Sequence, residues 1–176
     1  MEVGKRRSFT DRMFGAAMLR SSVFDELEAD TRATGQAALV VGLVAVAAAV
    51  GGIRGGAGAI AFIVAAYLGW LFWSAAAYLI GARLLGGTAT WGELLRTIGF
   101  AQSPGVLYVL AVIPYLDALV RIGVWLWIVA AVIVAIRQAL DFGTARAIVT
   151  ALLGAFAYLI LTLAAYLVLR IPPAAM

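Results

Sequence analysis

The chain has 176 residues, 65% of them hydrophobic and 12% charged, and its mean hydropathy of +1.04 is far above that of a soluble domain. It contains no cysteine and no histidine, which excludes disulfides, zinc sites with Cys or His ligands, cysteine nucleophiles and imidazole bases. The composition predicts an integral membrane protein, and the net charge of +4 is spread along apolar segments rather than gathered into a nucleic-acid-binding patch.

Residues 1–34 predict a cytoplasmic N-terminal segment, because they hold six of the thirteen basic and six of the nine acidic residues. Within it, Met13, Phe14, Ala17 and Met18 share one helical face between flanking arginines. This pattern is typical of a short amphipathic helix in the headgroup region of a membrane. A disordered basic tail is the alternative.

An acidic cluster, "VFDELEAD", follows at residues 23–30. Ser22 is expected to cap the start of a helix here. The cluster allows four interpretations: a solvated helix face, a divalent-cation site, a docking surface for a basic partner, or a clamp to arginines at the cytoplasmic side. We expect the clamp to pin the N-terminal segment to the bundle. The candidate residues are Asp25, Glu26, Glu28, Asp30, Arg32, Arg96 and Arg146, with Arg20 and Arg83 as further candidate partners.

Five apolar stretches are long enough to cross a bilayer as helices. They cover about residues 35–53, 57–82, 94–116, 119–136 and 147–169, with a glycine-rich turn around Arg54. Residues 35–170 are therefore predicted to form a transmembrane domain, and residues 171–176 a short outer tail. With the N-terminus inside, ten basic residues lie on the cytoplasmic side and three outside, which predicts a cell-membrane protein with its C-terminus outside.

The third span contains a break at "GFAQSPG". Pro104 cannot donate a backbone hydrogen bond, and Gly99 loosens the same turn, so a kink is expected. Gln102 and Ser103 are placed to bond the freed carbonyls. Helix packing is one interpretation of these four residues, and a permeation site in a small transporter is the other.

Three further patterns concern the sides and ends of the spans. Small residues recur at a spacing of four, which favours close packing within the chain or a homo-oligomer. An aromatic and polar face in the second span is expected to face other helices. Two charged pairs at a spacing of four are expected to anchor the ends of the fourth span. The two stripes of small residues are Ala61, Ala65, Gly69 in the second span and Ala147, Ala151, Ala155 in the fifth. The aromatic and polar face consists of Tyr67, Trp70, Ser74 and Tyr78. The charged pairs are Asp117 with Arg121 and Arg137 with Asp141.

Three stretches together, "SSVFDELEADTRATGQAALVVGLVAV", "WGELLRTIGFAQSPGVL" and "IRQALDFGTARAI", resemble the Yip1 family of five-span membrane proteins, over about residues 10–170. In the middle stretch, Gly92, Arg96, Gly99, Phe100 and Pro104 resemble the family's pattern. The first stretch looks like the acidic entry of its bacterial and archaeal branch.

The resemblance implies an all-α polytopic membrane protein, a bundle of five transmembrane helices preceded by a short interfacial amphipathic helix. Eukaryotic relatives organise vesicle traffic and bind Rab-type GTPases. This chain departs from them in its short N-terminal region and in its composition, because twelve arginines against one lysine and frequent alanine are typical of a GC-rich prokaryotic genome. GTPase binding is therefore not carried over.

No nucleophile motif accompanies the pattern, and we predict neither an enzyme nor a bound cofactor or metal. The function expected is a non-enzymatic membrane scaffold or adaptor in membrane organisation or trafficking. Its expected partners are the lipid bilayer, a protein on the cytoplasmic side and a second copy of the chain. The alternative is a small transporter or channel that uses the broken third helix from Gln102 to Pro104.

Overall fold

The computed structural model describes residues 7–52 and 57–169, and within these ranges the chain forms helices and no strand. The α-helices are α1 Phe9–Ala17, α2 Ser21–Ala29, α3 Ala33–Gly51, α4 Ala57–Ala77, α5 Trp91–Ala101, α6 Asp117–Ala139 and α7 Thr144–Leu169. A π-helical segment, Tyr78–Leu84, continues α4, and a 3-10 helix, Ser103–Val112, follows α5. The predicted turn at Arg54 and the predicted tail 171–176 lie outside the described residues.

Five helical stretches of the described chain are long and apolar enough to cross a membrane, which confirms the predicted fold class. They are Ala33–Gly51, Gly58–Leu84, Trp91–Val112, Asp117–Ala139 and Thr144–Ala164. Large apolar side chains cover their outer surface; Leu119 is 69% and Leu152 64% exposed. Such a surface is suited to contact with lipid rather than water.

The third span begins at Trp91, three residues before the predicted start. The reason is a capping box. The Thr90 N–H donates to Glu93 Oε2 at 2.8 Å, and the Glu93 N–H donates to Thr90 Oγ1 at 3.4 Å. The T-x-x-E spacing that signals this cap is present in the sequence, so the earlier start was readable from it.

The break in the third span lies where Pro104 interrupts the backbone hydrogen bonding. The α-helix ends at Ala101, and the chain continues as the 3-10 helix from Ser103. Ser103 Oγ donates to the Phe100 carbonyl at 2.6 Å and so satisfies one freed acceptor. Gln102 is half-buried and lines a cavity in the bundle.

The third span packs tightly on α3 and is the most buried of the five described spans. Two glycines permit the approach. A Cβ atom at Gly105 would collide with the side chain of Val44, and one at Gly99 would lie 2.8 Å from the Ala37 Cβ. The core therefore lies between α3 and the third span, with α6 closing it.

The aromatic and polar face of α4 lies against other helices, as predicted. Tyr67 OH donates to the Ala38 carbonyl in α3 at 3.1 Å. Trp70 Nε1 donates to the Leu95 carbonyl in α5 at 3.0 Å. Ser74 is fully buried. The bonds of Tyr67 and Trp70 satisfy polar atoms that lipid could not and fix the rotation of α4 in the bundle, whereas Ser74 Oγ has no hydrogen-bond partner among the described residues.

The N-terminal helices pack against the side of the bundle, in contact with α5 and α6. Trp127 Nε1, from the middle of α6, donates to the carbonyl of Ala17 at the end of α1, at 2.7 Å. The turn between α1 and α2 places Leu19 at φ 57°, in the left-handed region that few non-glycine residues adopt. The predicted apolar face of α1 divides, because Met13 packs on the core while Phe14 is 58% exposed.

The start of α6 is tied to the end of α3 through Arg121. Its Nη2 donates to the Gly51 carbonyl at 3.2 Å, and its Nε lies 3.5 Å from Asp117 Oδ2, as the spacing of four predicted. The pair is solvent-accessible and contributes little by itself. Asp117 and Arg121 lie at the end of the bundle that is far from α2. We call this end the distal end.

The second predicted pair, Arg137 with Asp141, is wrong. Within the described chain, Arg137 Nε donates instead to Gln138 Oε1 at 3.1 Å, and Asp141 accepts a bond from Thr88 Oγ1 at 2.8 Å. The helix ends at Ala139, and Asp141 has a φ of 53°. Asp141 therefore lies beyond the end of α6, and the spacing of four does not bring the two side chains onto one helical face.

Candidate functional site

The helix α1 begins at Phe9 because Ser8 and Asp11 form a capping box. The Asp11 N–H donates to Ser8 Oγ at 3.2 Å, and the Ser8 N–H donates to Asp11 Oδ2 at 3.3 Å. This start places Arg12 one turn into the helix, on the side that faces α2. Its side chain is only 2% exposed.

Arg12 joins three helices through its guanidinium group. Nε and Nη2 donate to Glu26 Oε1 at 3.0 and 2.7 Å, and Nη2 also donates to Asp30 Oδ2 at 2.8 Å. Nη1 donates to Gln36 Oε1 in α3 at 2.8 Å. We call Arg12, Glu26, Asp30 and Gln36 the clamp. Arg7 adds a second cation, with Nη1 2.8 Å from Glu26 Oε2.

The clamp keeps a buried charge ionised. Burial by itself lowers the pKa of Arg12, but the hydrogen bonds that Arg12 donates to Asp30 and Glu26, together with the negative charges of these residues, outweigh that effect and raise the pKa. A buried ion pair adds little net stability compared with apolar packing, but the loss of one partner is costly. The clamp therefore fixes where α1 and α2 sit.

Arg96 holds the same C-terminal end of α2 from the side of α5. Its side chain is 5% exposed and lies in α5. Nε donates to the Leu27 carbonyl at 2.8 Å, and Nη2 donates to the Glu28 carbonyl. A cation at a helix C-terminus satisfies the last carbonyls and complements the helix dipole. Arg96 therefore bonds the backbone of the acidic segment rather than its carboxylates.

Four carboxylates from α2, α5 and the α6–α7 connection lie near one another, and we call Asp25, Glu28, Glu93 and Asp141 the acidic patch. Asp25 Oδ1 accepts a bond from Gln138 Nε2 at 2.7 Å. The pKa of Glu28 rises to about 7, first because it is partly buried and then because Glu93, Asp141 and Asp25 repel its negative form. Arg96 lowers it by a smaller amount.

The structure divides the predicted acidic cluster into two groups. Glu26 and Asp30 belong to the clamp, whereas Asp25 and Glu28 belong to the acidic patch. Ser22 is not the N-cap that was predicted, since α2 begins at Ser21 and no side chain caps it. Among the residues described, no group of three acidic side chains is arranged to hold a metal ion.

The two other predicted arginines lie apart from these groups. The side chain of Arg32 is exposed, and its backbone N–H donates to Asp30 Oδ1 at 3.2 Å. Arg146 lies over the ring of Phe142, with 5.7 Å between its Cζ and the ring centroid. Arg32 lies at the start of α3 and Arg146 near the start of α7. Within the described chain, neither side chain forms an ion pair with a carboxylate of the acidic cluster.

Sequence reasoning missed the roles of Arg12, Gln36, Glu93 and Gln138. Arg12 was predicted only as one of the arginines that flank the apolar face of α1 in the headgroup region. The capping box at Ser8 could have fixed the start of α1, but not the packing angle that turns Arg12 toward α2. Glu93 was readable from its own capping box. No local pattern marks Gln138, whose partner is 113 positions away.

A cavity of about 520 Å³ lies among the spans, between α3, α4, the third span, α6 and α7. Gln102, at the break of the third span, lines it together with apolar side chains. The four predicted kink residues thus divide among three roles. Gly99 and Pro104 shape the backbone, Ser103 bonds a freed carbonyl, and Gln102 faces the cavity.

The fold and the charged groups define an α-helical membrane protein with five spans and an N-terminal pair of helices held against them. A family model described as Yip1 domain matches residues 16–166. The chain belongs to the Yip1 family, and the match covers α2 and nearly all of the five spans. Comparisons with curated proteins and with solved structures each found no match.

Proposed function

We propose that this protein is a non-enzymatic scaffold or adaptor of the Yip1 type, acting in membrane organisation or trafficking. It docks a basic protein partner through the acidic patch. The carrying observation is the contrast between two sets of carboxylates. Those of the clamp are neutralised by Arg12 and Arg7, whereas Glu28 of the patch is surrounded mainly by like charges. A partner cation would relieve that repulsion.

The arrangement supports docking for a second reason. The clamp and Arg96 hold the C-terminal end of α2 from two sides, and Arg7 donates to the Ser22 carbonyl near its start, so Asp25 and Glu28 are presented by a fixed helix. A preorganised surface loses little conformational freedom when a partner binds. Basic residues are concentrated on this side of the chain, ten against three, which supports a cytoplasmic N-terminus and an outer C-terminus in a prokaryotic cell membrane.

The test is affinity purification from native membranes with quantified partners. A variant carrying Asp25→Asn, Glu28→Gln and Asp141→Asn neutralises three of the four patch carboxylates and leaves the clamp and the Glu93 capping box intact. Asp117→Asn, at the distal end, is the control. We expect at least one partner to be retained by the wild type and the control, lost from the patch variant, and weakened by high salt. A partner list that is the same for all three proteins would overturn the proposal.

The alternative function, a small transporter or channel, is favoured by one observation: Gln102 lines a cavity at the break of the third span. Broken helices with polar groups at mid-membrane depth are used as solute sites in transporters. A flux assay in proteoliposomes separates the two functions. Solute-selective transport that is lost on Gln102→Leu would replace the scaffold by a transporter.

A further inference from the structure

The cavity is large enough to hold a molecule. Its volume of about 520 Å³ lies within the range of roughly 300–1,000 Å³ that is typical of ligand sites. It is formed by the middle parts of α3, α4, α6 and α7 and by the third span, so it lies at the depth of the hydrocarbon region. A ligand there would be surrounded by membrane-spanning helices on most sides.

The chemistry of the lining excludes a charged occupant. None of the lining side chains among the described residues is ionisable near neutral pH, and most are apolar. Parts of both small-residue stripes line the cavity, namely Ala65 and Gly69 of α4 and Ala151 and Ala155 of α7. The ring of Trp73 on α4 packs against the ring of Tyr158 on α7, with 6.3 Å between the two ring centroids. The aromatic rings keep the two stripes from closing on each other.

One side chain of the lining, Trp73, carries a hydrogen-bond donor that lacks a partner in the described chain. Trp73 Nε1 is buried and has no acceptor among the described residues. It lies beside Gly154 of α7, where an added Cβ would be 3.7 Å away. An unpaired buried N–H is unfavourable, and in lipid no water is at hand to satisfy it. Nε1 has essentially no accessible surface, so it marks imperfect polar pairing between α4 and α7 and does not contact an occupant of the cavity.

The cavity opens toward the lipid. Trp125 of α6 and Leu152 of α7 belong to its wall, yet they are 58% and 64% exposed. An opening between side chains on the outer surface of the spans leads sideways into the hydrocarbon region. The species that surrounds such an opening is lipid, and its chains match an uncharged apolar lining.

We propose that this cavity is a lipid-binding site, which takes the hydrocarbon chain of a membrane lipid. The small residues Ala65, Gly69, Ala151 and Ala155 provide the room for the chain. The site is independent of the acidic patch, so it stands whether or not the patch binds a protein.

The test is photo-crosslinking in phosphatidylcholine vesicles. Two probes carry the same photoactivatable acyl chain, one on phosphatidylcholine and one on diacylglycerol, which lacks the charged headgroup. Labelled residues are mapped by mass spectrometry. We expect Trp70, Trp73 and Ala151 to be labelled above the lipid-facing residues Leu119 and Ile122. Labelling by both probes identifies a phospholipid chain, and labelling by diacylglycerol alone identifies a neutral lipid.

Matched variants connect the labelling to the cavity. Ala65→Leu adds three carbon atoms at the lining, whereas Ala61→Leu adds them one turn earlier, on an exposed position outside the lining. We expect Ala65→Leu to reduce cavity labelling to the level of the lipid-facing residues and Ala61→Leu to leave it unchanged. Ala155→Leu, on α7, repeats the test if Ala65→Leu impairs folding.

Two results would overturn the proposal. Cavity residues could be labelled no more strongly than Leu119 and Ile122 in the wild type. Alternatively, Ala61→Leu could lower labelling as much as the two filling variants do, which would show that the label reports general lipid contact.

Discussion

Arg12 and Arg20 lie eight positions apart in the same N-terminal segment, yet their environments are opposite. Arg12 is 2% exposed and bonds two carboxylates and an amide, whereas Arg20 is exposed. In the sequence the two arginines look equivalent, since each borders the apolar stretch of α1. The difference arises from packing, because the crossing of α1 over α2 decides which arginine meets the acidic residues. Acidic partners for arginines could be predicted from the sequence, but not which arginine would be buried.

Arg12→Gln is predicted to release the N-terminal helices. The substitution leaves Asp30 and Glu26 close together without their buried cation, and the cost of breaking such a pair is about 3 kcal/mol. Hydrogen exchange of the backbone amides in α1 and α2 measures this local opening. Faster exchange should be confined to those helices, with the five spans unchanged. Arg20→Gln is the control, and equal exchange in the two variants would contradict the prediction.

Glu28 makes the stability of the protein depend on pH. Its folded-state pKa of about 7 lies above the ordinary value of 4.5, so the folded protein holds this proton more tightly than the unfolded chain. The stabilisation is fully present below pH 4.5 and is lost as the pH rises through 7. We therefore expect the melting temperature in detergent to fall over this window.

Glu28→Gln is predicted to remove that pH dependence, because glutamine stays neutral at each pH. The variant should also melt at a higher temperature than the wild type at about pH 8, where the wild-type carboxyl is ionised among like charges. Asp117→Asn should keep the wild-type profile. If Glu28→Gln keeps the same slope as the wild type, the pH dependence has another origin.

At the scale of elements, the five spans could be predicted because membrane helices need long apolar stretches. Their ends could be predicted less well, since they depend on caps such as Thr90 with Glu93 and on the stop at Ala139. The break at Pro104 was readable from local chemistry. Its continuation as ten residues of 3-10 helix was not, because that conformation depends on contact with α3.

Gly105→Val is predicted to separate the third span from α3. The added side chain would collide with Val44, and overpacking of this kind costs about 1–3 kcal/mol. The measurement is the melting temperature of the purified protein in detergent. Gly123→Val is the matched control, because no atom lies within 4 Å of a Cβ at that position of α6. Equal melting temperatures for the two variants would contradict the tight packing at Gly105.

At the scale of the whole molecule, family and fold class followed from the sequence, while the cavity did not. The small-residue stripes on α4 and α7 predicted close contact between helices, yet Ala65 and Ala151 face an open volume. The stripe pattern records which residues are small, but the separation of two helices also depends on bulky neighbours such as Trp73 and Tyr158. Long-range packing of that kind has no local signature.

The absence of native cysteine allows the orientation of the chain to be measured directly. We predict that Thr31→Cys, between α2 and α3, is labelled by a membrane-impermeant maleimide only after cells are lysed. Tyr115→Cys, between the third span and α6, should be labelled on intact cells, since Tyr115 is fully exposed. The opposite labelling pattern would reverse the proposed orientation.

The hydrogen bond from Trp127 to Ala17 also sets an order of events during synthesis. Its two ends are 110 positions apart in the chain, and the bond between Gln138 and Asp25 spans 113. A ribosome that adds about 5–20 residues per second leaves the N-terminal helices without these partners for several seconds or more. The first two spans therefore enter the membrane before α1 and α2 can dock. The segment made first is among the last to reach its final position.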